Sequence, residues 1–189
     1  MGTAAEIRMG NVIRVNGKPC KVIASEIRGT AKFGKTLHFK LKSLEDGHSL
    51  EASYKAEDLV ESLGVHRTKM QFLYQETDDL IFMNLEDYEQ YRVPQKAVGK
   101  QITFLKENME VEVQFVEGKP LGIEFPKMVE LKVANTPPGV KGQSDTTYKE
   151  AELENGLKIL VPQFIRAGEV VRVNTEDLSY LDRVTTKSL

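Results

Sequence analysis

At 189 residues, 40% of them apolar and 29% charged, the chain has the balance of a folded globular protein and not of a disordered one. No apolar run approaches the ~20 residues of a bilayer span, and the N-terminal MGTAAEIRMG lacks the apolar core of a secretory signal. Cys20 stands alone, which excludes an internal disulfide and suits a reducing compartment, so the expectation is a cytoplasmic protein without membrane association; the net charge of −2 by itself says little.

In chain order, Val12-Ile13-Arg14-Val15, Asn16-Gly17 and Cys20-Lys21-Val22-Ile23 predict a hairpin, because Asn-Gly supplies the positive φ angles of a tight primed turn. Thr36 to Lys42 alternates with period two, as a half-buried strand does, and Glu45-Asp46-Gly47 closes it. Between them, Arg28-Gly29-Thr30-Ala31-Lys32-Phe33-Gly34-Lys35 combines glycines with basic residues and reads as an exposed loop tip. A second set begins near His66. Gln71 to Tyr74 and Leu80 to Met83 flank a turn at Asp78-Asp79, and Met109 to Val116 and Leu121 to Phe125 flank one at Glu117-Gly118-Lys119-Pro120. Pro94 to Gly99 predicts one short helical turn. The third set runs through Val129 to Val133, Pro137-Pro138-Gly139, Lys158 to Val161, Glu169 to Val173 and Tyr180 to Val184. Short, evenly spaced strands close their edges best as small barrels, so an all-β chain of three barrels of about 60 residues each is expected. An internal echo, Val15-Asn16-Gly17-Lys18-Pro19 and Val116-Glu117-Gly118-Lys119-Pro120, fits modular construction.

Charge is unevenly distributed. Between Arg8 and Lys42 stand Arg8, Arg14, Lys18, Lys21, Arg28, Lys32, Lys35, Lys40 and Lys42 against a single acid, Glu26, and the remainder is acidic. A basic face toward a phosphate backbone is one reading; solvated outward strand positions are the other.

Chemistry of other kinds finds no constellation. His38, His48, His66 and Cys20 offer no zinc spacing, and no nucleophile elbow, P-loop or dinucleotide fingerprint is present. Glu45, Asp46, Asp78 and Asp79 read as solvated turn acids. The expectation is no catalytic residue, no metal and no cofactor.

In the third set, Lys149-Glu150-Ala151, then Gly156, Ile159, Val161-Pro162, Ile165 and Gly168 follow the pattern Lys-x-Ala, four residues, Gly, two residues, aliphatic, any residue, Val-Pro, two residues, aliphatic, two residues, Gly. This pattern over 149–168 resembles the signature of the bacterial elongation factor P family and its elongation-factor-P-like paralogue. Val129-Glu130-Leu131, Thr136 to Gly142, Tyr180, Arg183, and Phe82-Met83-Asn84 with Asp87 to Gln90 agree with it, so the resemblance spans essentially the whole chain. The related archaeal and eukaryotic hypusine factor has two such domains, and the present length fits three.

The resemblance implies an SH3-like (KOW-type) barrel over 1–65 with a basic tip loop at 28–36, then OB-folds over 66–130 and 131–189, in an L-shaped, tRNA-like arrangement. It implies a monomer that binds the 70S ribosome between the P and E sites beside peptidyl-tRNA and rRNA, and relieves stalls at consecutive prolines. A tip lysine, often extended by a lysine-modifying enzyme, reaches toward the CCA end. Gap-free alignment of the Phe39 to Leu44 strand makes that residue Lys32, with Lys35 its rival, among Arg28, Gly29, Phe33 and Gly34. Tyr180 and Arg183 become candidate tRNA or ribosome contacts. Two departures stand out. Phe33 replaces the glycine usual after the tip lysine, and 142–148 lacks the usual Gly-Asp-x-x-Gly-Thr of the loop that approaches the E-site codon. The alternative from another class is a general OB-fold protein for single-stranded nucleic acid.

Overall fold

A computed structural model of the chain describes residues 1–30, 34–140, 142 and 147–185. Among the described residues, regular structure is mostly strand, arranged in three five-stranded antiparallel sheets.

The first sheet uses β2 (Val12–Val15), β3 (Lys18–Arg28), β4 (Thr36–Ser43), β5 (Ser49–Lys55) and β7 (Ser62–Leu63) in the order β5-β4-β3-β2-β7. Two short strands, β1 (Gly2–Thr3) and β6 (Leu59–Val60), pair separately. The Asn-Gly hairpin forms as the sequence predicts, with φ of 51° at Asn16 and 80° at Gly17. Ile13, Cys20, Val22, Phe39, Leu41 and Val60 fill the core. Burial pushes the Cys20 thiol up, which marks it as a core residue and not a reactive one.

The second sheet comprises β8 (Val65–Gln75), β9 (Asp79–Asn84), β10 (Gln90–Pro94), β11 (Glu110–Val116) and β12 (Lys119–Glu124), in the order β10-β9-β8-β11-β12. The third comprises β13 (Met128–Asn135), β14 (Tyr148–Leu153), β15 (Lys158–Pro162), β16 (Val170–Asn174) and β17 (Tyr180–Arg183), in the order β15-β14-β13-β16-β17. The two orders are the same pattern: the first strand is central, the next two lie to one side and the last two to the other. In each, the third strand meets the fifth (β10 with β12, β15 with β17), so both sheets curl into barrels with little free edge.

The helical turn expected at Pro94 to Gly99 is longer than predicted: α1 (Gln95–Val98) ends at Gly99, whose φ is 70°, and a 3-10 helix continues from Gly99 to Phe104. β5, β10 and β14 have no counterpart among the predicted strands. Ser-Leu-Glu-Ala-Ser-Tyr-Lys in β5 contains no β-branched residue; its partner β4, paired from Thr36↔Lys55 to Lys42↔Ser49, supplies the ladder.

By contact density the chain divides into two compact units, residues 1–99 with 107–124 and residues 100–106 with 125–189. Inside the first unit, the first two barrels share a joint. Val12, Leu44, Val116 and Leu121 form its apolar centre, with Leu63 and Val65 against them. Arg14 spans the joint: its Nε donates to Glu61 at 3.0 Å, and its Nη1 to the Gly17 carbonyl at 3.2 Å. Its Nη2 donates to Glu117. The echoed turns are thus tied together, and the second repeats the geometry of the first, with φ of 51° at Glu117 and 77° at Gly118.

Inside the second unit, Phe104 is buried with Leu131, Val133, Ala151, Leu153, Val161, Ile165, Val171 and Val173. The signature accounts for much of this barrel. Lys149 is only 8% exposed, and its Nζ donates to the Pro137 carbonyl at 2.6 Å, which satisfies a buried ammonium. Ala151, Val161 and Ile165 are core residues, whereas Gly156 and Gly168 turn the chain at φ of 82° and 91°. The Pro-Pro-Gly segment lies across it: a Cβ on Gly139 would stand 2.5 Å from the Gln163 carbonyl oxygen.

Candidate functional site

The longest hairpin, β3 and β4 flanked by β5, carries the sequence-predicted tip. Its register sorts the side chains into two faces, because cross-strand partners project to the same side. Val22↔Leu41↔Leu50 and Ile27↔Leu37↔Tyr54 belong to the side of the core, where Phe39 and Leu41 are 1% exposed. The outer face then holds four rows: Arg28, Thr36 and Lys55; Glu26, His38 and Ser53; Ala24, Lys40 and Glu51; Lys21, Lys42 and Ser49. A bulge between Val22 and Ala24 leaves Ile23 exposed between the last two rows.

Ion pairing separates the basic residues of this region into two groups. Arg28 donates twice to Glu26, at 2.8 and 3.1 Å, and these bonds hold the Glu26 carboxyl below its ordinary range. Lys18 Nζ donates to Asp46 at 2.7 Å, chiefly causing a strong downward shift of that carboxyl. Arg14 is committed to Glu61 and Glu117. By contrast Lys21, Lys35, Lys40 and Lys42 have no ion-pair partner among the described residues. Lys42 is half-buried, and its ammonium is disfavoured by desolvation and then by Lys21. His38 shares a hydrogen bond with Ser53, Nδ1 to Oγ at 2.8 Å.

At the outer end of the hairpin, Arg28 pairs with Thr36 and the legs approach closely. Gly29 has φ of 113°, and a Cβ there would lie 2.2 Å from the Gly34 carbonyl oxygen, a position only glycine can hold. Gly34, at φ of 81°, and the exposed Lys35 lead into β4. Lys32 and Phe33 lie outside the described residues, as do 143–146 of the altered loop in the third barrel.

Tyr180 and Arg183 fall at the ends of β17, in the second unit. Tyr180 packs partly against the third core, and burial raises its phenol. The Arg183 Nη1 donates to Glu169 at 3.2 Å, and its guanidinium stands 5.2 Å from the centroid of the half-exposed Phe164 ring. Arg183 is therefore met by a carboxylate and an aromatic face, and Phe164 joins the sequence-predicted pair. The sequence reading missed Phe164, which occupies a variable place in the signature, and the Lys21–Lys42–Ser49 row, which becomes visible once β5 is recognised as a strand. Among the described residues no group of three or more His, Cys, Asp or Glu could hold a metal ion. No described helix is long and apolar enough to cross a membrane.

Comparison with known proteins gives matches over all three segments. Residues 3–60 match the family model for the elongation factor P (EF-P) KOW-like domain, 65–123 that for the elongation factor P (EF-P) OB domain, and 129–183 that for the elongation factor P C-terminal region. The elongation factor P of Paramagnetospirillum magneticum is 38% identical over 178 residues, covering 94% of this chain and 95% of that protein. That of Chelativorans sp. is 40% identical over 179 residues, covering 94% and 96%. Among solved structures, eukaryotic translation initiation factor 5A from Methanococcus jannaschii aligns with a TM-score of 0.50 at 18% identity, covering 62% of this chain and 87% of that one, a likeness of fold.

Proposed function

The chain belongs to the elongation factor P family, and from that premise we propose that it binds the ribosome between the P and E sites and promotes peptide bond formation at stalled polyproline sequences. The family match across nearly the full chain carries this reading. The β3–β4 hairpin supports it physically: a long antiparallel ribbon with unpaired lysines on its outer face suits a phosphate-rich partner.

Proline has a locked φ and a constrained nitrogen, and takes up an attacking geometry slowly. A factor beside peptidyl-tRNA that holds the CCA end lowers the orientational cost of the reaction, while the ribosome remains the catalyst. In this chain Lys32 would deliver the tip charge, with Lys35 its rival, and a lysine-modifying enzyme would extend it. The narrow Gly29–Gly34 neck would keep the tip on the axis of the hairpin. Tyr180 and Arg183 would contact tRNA or rRNA. The protein would act in the cytoplasm as a monomer.

The test is translation of a polyproline reporter in an extract depleted of the endogenous factor. Wild-type protein from its own host should restore synthesis, Lys32→Ala should abolish the rescue, and Lys35→Ala should retain it. Failure of the wild type to rescue would sink the polyproline reading. Tight binding to free single-stranded oligonucleotides without affinity for ribosomes would favour the general OB-fold alternative.

A further inference from the structure

We propose that Lys21 and Lys42, with the Ser49 hydroxyl beside them, form a phosphate-binding site for structured RNA backbone at the rim of the joint between the first two barrels, separate from the tip. The proposal rests on the ribosome-binding reading for the identity of its ligand, and on the following geometry for its existence.

Val12, Lys21, Lys42 and Ser49 are successive cross-strand partners on β2, β3, β4 and β5. Val12 is buried in the joint core, so the two lysines lie where that core gives way to solvent. A Cβ on Gly99, at the end of α1, would stand 3.4 Å from Lys42 Nζ, which places the ammonium beside the second barrel's backbone. Two like charges directly opposite each other on neighbouring strands repel, and neither has a carboxylate partner among the described residues. Glu124 is the acid whose carboxyl feels Lys21, but Arg67 Nε already holds it at 2.5 Å. Elsewhere in this region Arg14, Lys18 and Arg28 have acidic partners; Lys35 and Lys40, which like this pair have none among the described residues, are exposed and free to be solvated.

An uncompensated pair, both members partly buried, costs stability in the free protein and is relieved when an anion enters between the ammoniums. A phosphodiester oxygen bridging two lysines, with a serine hydroxyl donor beside it, has the right charge and donor count. The fixed register would place one RNA phosphate at a set point behind the tip, which positions the tip without reading base sequence.

The experiment measures binding of the full-length protein to 70S ribosomes as a function of salt, for wild type, Lys21→Gln, Lys42→Gln, the double variant and Lys18→Gln. The double variant should weaken binding about tenfold and flatten the slope of log K against log salt by roughly one to two. Lys18→Gln should leave the slope unchanged. The melting temperature of the double variant should equal or exceed that of wild type, because a repulsion is removed. Unchanged binding, or a fall in melting temperature with the slope intact, would overturn the site. A parallel NMR titration follows the lysine side-chain resonances with a short RNA hairpin and with inorganic phosphate, and so does not depend on the ribosome reading. Selective shifts of Lys21 and Lys42 by the hairpin support the site even if ribosome binding fails. Equal shifts with inorganic phosphate at the same concentration would overturn the assignment to RNA.

Discussion

The β3–β4 hairpin of the first barrel and the β14–β15 hairpin of the third are both antiparallel pairs that alternate core and solvent positions. In β14 and β15 the alternation extends into the recognisable signature, and its residues serve the fold. Lys149 is tied to Pro137, Ala151 and Val161 are in the core, and Gly156 makes the turn. In β3 and β4 the described lysines proposed for function stand on the outer face, where no sequence pattern comparable in length marks them. A family can thus be identified by the part of the chain that determines the fold, while the residues proposed for its function lie where core packing does not constrain them. Core positions are constrained by volume and hydrogen bonding together, whereas an outward lysine is constrained only by its partner.

If that contrast holds, Ile165→Ala should give the largest loss of stability, about 3 kcal/mol, since Ile165 is fully buried in the third core. Chemical denaturation measures it, and a loss below about 1 kcal/mol would show that this core repacks easily. Next comes the neck of the tip. Gly29→Ala forces a Cβ into the Gly34 carbonyl at an unfavourable φ, and should cost about 2 kcal/mol while lowering polyproline rescue more than Ile165→Ala does at a permissive temperature. Equal effects of the two variants on rescue would break the division between a structural region and a functional one. Lys149→Met keeps the buried stem and removes the donor to Pro137, so about 1 kcal/mol is expected. Ribosome binding should be unchanged, and weakened binding would move the signature lysine into the functional group.

The smallest effect concerns pH. The Asp46 carboxyl is depressed in the folded protein, chiefly by Lys18, so it binds a proton less readily than in the unfolded chain. Its contribution is therefore present above the unfolded carboxylate value of about 4 and is lost as pH falls through the lower folded value. Asp46→Asn should lower the neutral midpoint somewhat and leave the acid end unchanged, so that the acid side of the stability curve flattens. An unchanged acid limb would show that the pair is screened by solvent.

Much of the fold was legible because the strands announce themselves locally. Thr36 to Lys42 alternates with period two, Asn16-Gly17 specifies its turn, and the echo at Glu117-Gly118 adopts the same pair of positive φ angles although glutamate alone would not predict one. β5 and β14 were not legible from propensity, since their ladders come from neighbours already in place. Of the candidate site, the basic segment and the loop between β3 and β4 could be read directly, whereas Tyr180 and Arg183 entered only through the family resemblance. The union of Arg183 with Phe164 and Glu169 could not, because these residues come from separate strands and turns.

The sequence by itself determined an all-β chain of short strands, the places of its tight turns, its membership of a family and the concentration of positive charge near its beginning. The tertiary structure alone decided which of those charges remain available. Arg14 meets Glu117, 103 residues away, while Lys21 faces Lys42 and forms no ion pair among the described residues. Those outcomes follow from strand register and barrel closure, which bring distant residues together and so lie beyond any local pattern.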